Sequence, residues 1–133
     1  MQTLSLRNIA ATALLLLATL GPGLRPAAAA ELIMFEDASC VWCARFNRDI
    51  APIYPKTAEG QRAPLRRVGI HDKLPADIAF IQMERLTPLF VLVDQGREIG
   101  RIRGYPGEDH FWGLLSSLIR KLPPSPAAGP PRT

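Results

Sequence analysis

The sequence predicts an α/β domain built in the order strand, helix, strand, helix, strand, strand, helix around a four-stranded mixed sheet. Three observations carry that prediction. Two continuous apolar runs of strand length occur at residues 32–35 and 89–93. Two longer stretches, 40–53 and 108–122, repeat apolar residues at three- and four-residue steps. Asp94-Gln95-Gly96-Arg97 is turn material between the second run and a further strand candidate, as in a hairpin. A parallel unit followed by a hairpin and a closing helix gives an α/β sandwich.

Leu32-Ile33-Met34-Phe35 lacks polar alternation, which fits a strand covered on both faces. Glu36-Asp37-Ala38-Ser39 breaks the run, and Ser39 is a suitable N-cap because its hydroxyl accepts from a free backbone N–H of the first turn. A helix is expected from about Cys40, with Cys43, Phe46, Ile50 and Ile53 as its buried stripe. Cys40 then sits at the exposed start while Cys43 faces inward. Pro52 and Pro55 should kink or end the helix, and Gly60 falls in the connection beyond. Residues 65–70 form the next strand, with Val68 and Ile70 inward and two arginines that imply thinner cover. Residues 77–83 read as a short crossover helix through Ile78, Ile81 and Gln82, before Thr87-Pro88. The run 89–93 and residues 99–103 make the hairpin. Residues 108–122 are the clearest helix: Phe111, Leu114, Leu115, Leu118 and Leu122 share a face, acids open it, Arg120 and Lys121 close it, and prolines follow.

At the N-terminal end, residues 1–30 read as a cleavable secretory signal, with Arg7 before the apolar stretch from Ile9 to Leu20 and small residues at Ala27 to Ala30. The rival reading is a membrane anchor, but spanning takes roughly 20 apolar residues and Gly21-Pro22-Gly23 interrupts this stretch. No cysteine follows the stretch closely enough to carry a lipid. Residues 31–122 make one domain, and the proline-rich residues 123–133 are expected to be a disordered tail. The chain has 16 basic and 12 acidic residues; without Arg7 and Arg25 the excess is only two. Arg66-Arg67 and Arg101 with Arg103 read as solvated strand positions, so nucleic acid is not an expected partner.

The chain's two cysteines stand in Ser39-Cys40-Val41-Trp42-Cys43. A structural bridge across two residues closes so small a loop that it removes little chain entropy, on the order of 1 to 2 kcal/mol. Reactivity explains the pair better: a sulfur at a helix start meets free N–H groups and the positive end of the helix dipole, which favour the thiolate. Cys40 is then the nucleophile that attacks a disulfide, and Cys43 resolves the mixed disulfide from the next turn. Run backwards, the same steps oxidise a substrate. A zinc site would need two more ligands, and His71 and His110 lie on different elements, so no metal is expected; haem attachment is excluded because Ala44 follows Cys43. The chemistry runs through sulfur alone and calls for no cofactor.

These residues resemble the thioredoxin superfamily: an apolar strand at 32–35, C-x-x-C at the next helix start, Thr87-Pro88 opening strand 89–93, and a hairpin reaching Gly104. The resemblance implies a thioredoxin-like fold, a cis Pro88 lying against the cysteines, and substrate pairing along the Thr87 backbone. Cys-Val-Trp-Cys, together with Gly-Arg-Ile-Arg-Gly-Tyr-Pro-Gly-Glu-Asp-His-Phe-Trp, is most similar to small periplasmic thioredoxins of bacterial sulfur-oxidation (Sox) operons. That similarity implies a periplasmic reductant of a protein disulfide or persulfide, recharged by a membrane thiol transporter; a monomer is the expected state. An oxidant or isomerase, or a metal-binding chaperone on the same fold, remains the alternative. Two departures from the family's pattern stand out: Ser39 rather than tryptophan precedes Cys40, and Met34 occupies the place of the buried aspartate that accepts a proton from the second cysteine. Glu36 or Asp37 could serve instead. Trp42 and Tyr105 are expected to form an apolar rim for a partner, and Trp112 to pack into the core.

Overall fold

The structure, a computed structural model, describes residues 29–124. Nearly all of the expected signal and of the expected tail lies outside the described residues. Four strands, β1 (Glu31–Glu36), β2 (Leu65–Gly69), β3 (Leu89–Asp94) and β4 (Arg97–Arg103), form one sheet in the order β2-β1-β3-β4. β1 runs parallel to β2 and antiparallel to β3, and β3 pairs antiparallel with β4. The sheet is therefore mixed, as the apolar runs and the hairpin turn imply. Gln95 and Gly96 supply the two positive φ angles, 49° and 74°, of a tight hairpin whose twist matches its strands.

β1 and β3 are central and buried along their lengths, which is why their sequences are continuous apolar runs rather than alternating ones. Leu32, Met34, Phe90 and Leu92 face one side, where they pack with Cys43, Phe46 and Ile50 of the first helix region and Phe111, Leu115 and Leu118 of the last. Ile33, Phe35, Leu89 and Val91 face the other, under Val68, Ile78 and Ile81. Alternation along each strand thus builds two cores, one beneath helices and one beneath a connection.

The helices are α1 (Val41–Asp49), α2 (Ala58–Arg62) and α3 (Glu108–Ile119). α1 ends before Pro52, so Ile53 falls beyond the expected stripe and is 41% exposed. α2 lies where a plain connection was expected around Gly60. Thr57 caps it, its Oγ1 accepting from Gly60 N–H at 3.0 Å. Gly60 itself is required there, since a Cβ would collide with the Tyr54 carbonyl. The crossover helix expected over 77–83 is instead a single 3-10 turn, Ala76–Ile78, with Ile78 and Ile81 buried beneath the sheet all the same. Ile70 lies just past the end of β2 and is half-buried, not inward. On α3, Leu114 leaves the buried face and is exposed, while Leu122 is buried past the helix end. Trp112 is half-buried, packed against the core and stacked parallel to Tyr54 with ring centroids 6.0 Å apart.

Candidate active site

α1 is seated by Phe46, whose ring lies 4.7 Å from Phe90, 5.6 Å from Tyr105 and 5.1 Å from Phe111. That seating turns Cys43, three residues earlier, into the core, where it is 2% exposed. Cys40 stands at the tip of the helix. It is the N-cap residue, in extended backbone, and its Sγ accepts the Cys43 N–H at 3.1 Å. Ser39 was expected in that role but is engaged elsewhere: its N–H and Oγ both donate to Asp37 Oδ1, at 2.8 and 2.5 Å. A sulfur therefore takes the place of the usual capping oxygen, aimed at a helix N–H. Cys40 and Cys43 are joined as a disulfide, with Cα atoms 5.2 Å apart.

Thr87 and Pro88 lead into β3, and the peptide bond between them is cis. Gly104 N–H donates to Pro88 O at 2.8 Å, fixing this corner to the end of β4. Thr87, Cys40, Val41 and Trp42 share a groove of about 840 Å³ whose further lining includes Ile70, His71 and residues 83–86. Val41 and Trp42 are 70% and 50% exposed. Tyr105, expected beside Trp42 on the rim, is buried instead, edge-on to Phe46 and with its hydroxyl 3.5 Å from Asp49 Oδ2. The exposed apolar rim is Val41 with Trp42.

A second cavity, of about 490 Å³, reaches Cys43 and is lined also by Glu36, Asp37, Asn47, Arg67 and Asp72. Glu36 Oε2 accepts from Arg67 at 2.8 Å and from Asn47 at 3.4 Å. Asp37 accepts from Ser39 and lies 3.0 Å from His71 Nε2; the Ser39 hydrogen bonds hold its carboxyl below the usual range. Asp72 accepts from Gly69 N–H at 3.1 Å. Met34 lies among apolar side chains, 3.7 Å from Arg67 Nη1. Among the described residues no three histidine, cysteine or acidic side chains converge on a point that could hold a metal ion.

Arg103 is a solvated strand position as expected, but Arg101 is largely covered, and both are engaged by acids. Arg101 donates to Glu98 at 2.6 and 2.5 Å, to Glu84 at 2.5 Å and to the Gln82 carbonyl at 3.1 Å. Arg103 donates to both oxygens of Glu84 at 2.7 Å. These contacts clamp the segment before Thr87 to β4, and with it a wall of the groove. The available sequence signal was the spacing of Arg101 and Arg103, two apart on one face of a strand opposite an acid.

No family model matches the chain, and no curated protein matches it. Two solved structures are similar. The crystal structure of the periplasmic thioredoxin SoxS from Paracoccus pantotrophus, in its reduced form, is 45% identical, with a TM-score of 0.65; the match covers 69% of this chain and 97% of that one. The thioredoxin of Malassezia sympodialis, Mala s 13, is 20% identical with a TM-score of 0.51, covering 68% and 75% of the two chains, a likeness of fold.

Hydrogen bonds from Arg103, then from Arg101, hold the Glu84 carboxyl down at about 2 against an ordinary 4.5. A depressed carboxylate contributes stability that is complete above pH 4.5 and is lost as pH falls towards 2. Glu84→Gln is therefore expected to be less stable at neutral pH and to lose stability less steeply between pH 4.5 and 2. Urea denaturation at stepped pH measures both; equal slopes in the variant and the parent would rule out this contribution.

Proposed function

This chain belongs to the thioredoxin superfamily, and we propose that within it the protein is a periplasmic reductant that opens a specific protein disulfide or persulfide. It is a thiol-disulfide oxidoreductase with a redox-active Cys40–Cys43 pair. The observation that carries the proposal is the Cys40 sulfur at the tip of α1, accepting a helix N–H, with its partner sulfur buried one turn behind. In the reduced protein the same N–H and the helix dipole favour a Cys40 thiolate. The location is supported by the periplasmic thioredoxin that is 45% identical and by the signal-like residues 1–30. A role in sulfur oxidation is supported by the resemblance of Cys-Val-Trp-Cys and residues 100–112 to the thioredoxins of sulfur-oxidation operons. Because the periplasm is kept oxidising, such a reductant needs electrons from across the membrane, as a thiol transporter would supply.

The Cys40 thiolate attacks the substrate disulfide, the leaving thiolate takes a proton, and a mixed disulfide joins protein and substrate. Val41 and Trp42 cover the partner's apolar side, and the Thr87 backbone pairs with its extended chain beside Pro88. Cys43 then attacks Cys40, but at 2% exposure its thiol cannot hand its proton directly to bulk water. Glu36 is the base we assign to it. Glu36 shares a sheet face with Met34, the face towards α1, and lines the cavity that reaches Cys43. Asp37 and Asp72 line the same cavity from the connections beyond β1 and β2, off the face that Met34 and Glu36 share.

Glu36→Gln is expected to slow release of the mixed disulfide on the order of 100-fold and to flatten its pH dependence, leaving the first attack unchanged. Stopped-flow tryptophan fluorescence separates the two steps, and an unchanged release rate would remove Glu36 from this role. Equilibration with glutathione buffers should place the pair near the potential of thioredoxin, about −270 mV; a value near about −120 mV would make it an oxidant. Cys43→Ser in cells should accumulate a disulfide-linked protein partner that Cys40→Ser does not. If neither variant traps one, a protein substrate is excluded.

A further inference from the structure

The groove beside Cys40 is lined by three charged side chains, Asp37, Glu84 and Arg85, and by His71, which lies against Asp37. Asp37 pairs with His71 at 3.0 Å. Glu84 is shared by Arg101 and Arg103, at 2.5 and 2.7 Å. Arg85 lines the same groove, is exposed, and has no carboxylate within ion-pair distance among the described residues. Arg85 is thus the one guanidinium of the lining, and it is uncommitted, on a wall that the Glu84 clamp holds in place. The remainder of the lining is largely apolar: Val41, Trp42, Ile70, Met83 and Leu86.

We propose that Arg85 is a specificity-determining residue that selects an extended cysteine-bearing protein segment with a carboxylate side chain next to its cysteine. This rests on the reductant reading above. Arg85 stands two residues before Thr87, so a segment paired along Thr87 and joined through its sulfur to Cys40 passes within reach of the guanidinium. A carboxylate there gains a charge-assisted, bidentate partner with no competing acid to displace. A lysine in the same place meets uncompensated repulsion, so the discrimination works in both directions.

The probes are three synthetic peptides, acetyl-Gly-Xaa-Cys-Xaa-Gly-amide, with Xaa as Glu, Ala or Lys and the cysteine capped as a 2-pyridyl disulfide. The Cys40 thiolate attacks the peptide sulfur, and the sulfur–sulfur bond to the pyridyl group breaks. Pyridinethione leaves with the electron pair and takes a proton. Cys43 then displaces the peptide thiol, and the protein ends as its disulfide. Each turnover consumes the two electrons of the reduced pair, which dithiothreitol supplies beforehand.

At low ionic strength the Glu peptide is expected to react about threefold faster than the Ala peptide, and the Lys peptide about threefold slower. Added salt should compress the series. Arg85→Glu should invert the order, and Arg85→Gln should merge the three rates near that of the Ala peptide, which itself stays unchanged. An unchanged order in Arg85→Glu, or no discrimination by the parent protein, overturns the proposal. Discrimination that persists in Arg85→Gln also overturns it, because the selecting charge then lies elsewhere. If the parent protein reacts with none of the peptides while its thiols are fully reduced, the reductant reading falls as well. Failure of the selectivity alone, with all three peptides reduced, leaves that reading intact.

Discussion

The seating of α1 on the sheet decides everything chemical about this protein. Phe46 sits among the rings of Phe90, Tyr105 and Phe111, and Ile50 is buried beside it. A helix turns through about 100° per residue, so a slip of one position would carry Cys43 out of the core and swing Cys40 off the tip. The two sulfurs are thereby placed differently: one faces the groove and a helix N–H, and the other is buried behind it. No further catalytic group is needed to distinguish them. Four interlocking rings at that contact, Phe46 with Phe90, Tyr105 and Phe111, suit that task, because packed rings resist rotation of the helix.

The opposite face of the sheet is covered in a different way, and the groove follows from it. No long helix crosses Ile33, Phe35 and Val91 among the described residues; Ile78 and Ile81 of the β2–β3 connection cover them. The same connection continues into residues 83–87 and becomes a groove wall. Irregular backbone would make a poor wall if nothing fixed it. β4 fixes it, through Arg101 on the Gln82 carbonyl and through both arginines on Glu84. A helix thus places the sulfur, a loop shapes the approach to it, and an edge strand holds the loop.

The sequence revealed what repeats and concealed what happens once. β1 and β3 were legible because central strands need apolar side chains on both faces, and α1 and α3 because their stripes recur over several turns. Leu114 and Ile53 show the limit, since periodicity marks a face but not where the neighbouring surface stops. α2, with the sequence Ala-Glu-Gly-Gln-Arg, has no apolar stripe at all; its signals were a capping Thr57 and a glycine made necessary by the Tyr54 carbonyl. The stretch 77–83 misled because Ile78 and Ile81, three apart, suit a 3-10 turn as well as an α-helix. In the active site, the cysteines were legible from spacing, and Thr87-Pro88 from the resemblance to the thioredoxin superfamily. The burial of Tyr105, the cap at Cys40 and the Glu84 clamp all depend on partners distant in sequence or on Asp37 outcompeting the helix for Ser39.

Met34 leaves the core beside Cys43 without a buried acid. A carboxylate at that position would lie among Leu32, Cys43, Phe46 and Phe90, where ionisation is costly unless a partner is buried with it. With Met34 the core stays apolar, and the nearest acid on the same face lies two residues further along β1, where the strand leaves the core. There Glu36 meets Arg67 of the parallel strand, whose guanidinium reaches past the Met34 sulfur. Moving the carboxylate outward exchanges a buried position for a half-exposed one that is paired with Arg67. The consequence for the proposed mechanism is direct: proton removal from Cys43 depends on access through the cavity at the helix side, and not on the polarity of the core. Core packing and proton transfer are then separable, which they are not when one buried side chain serves both.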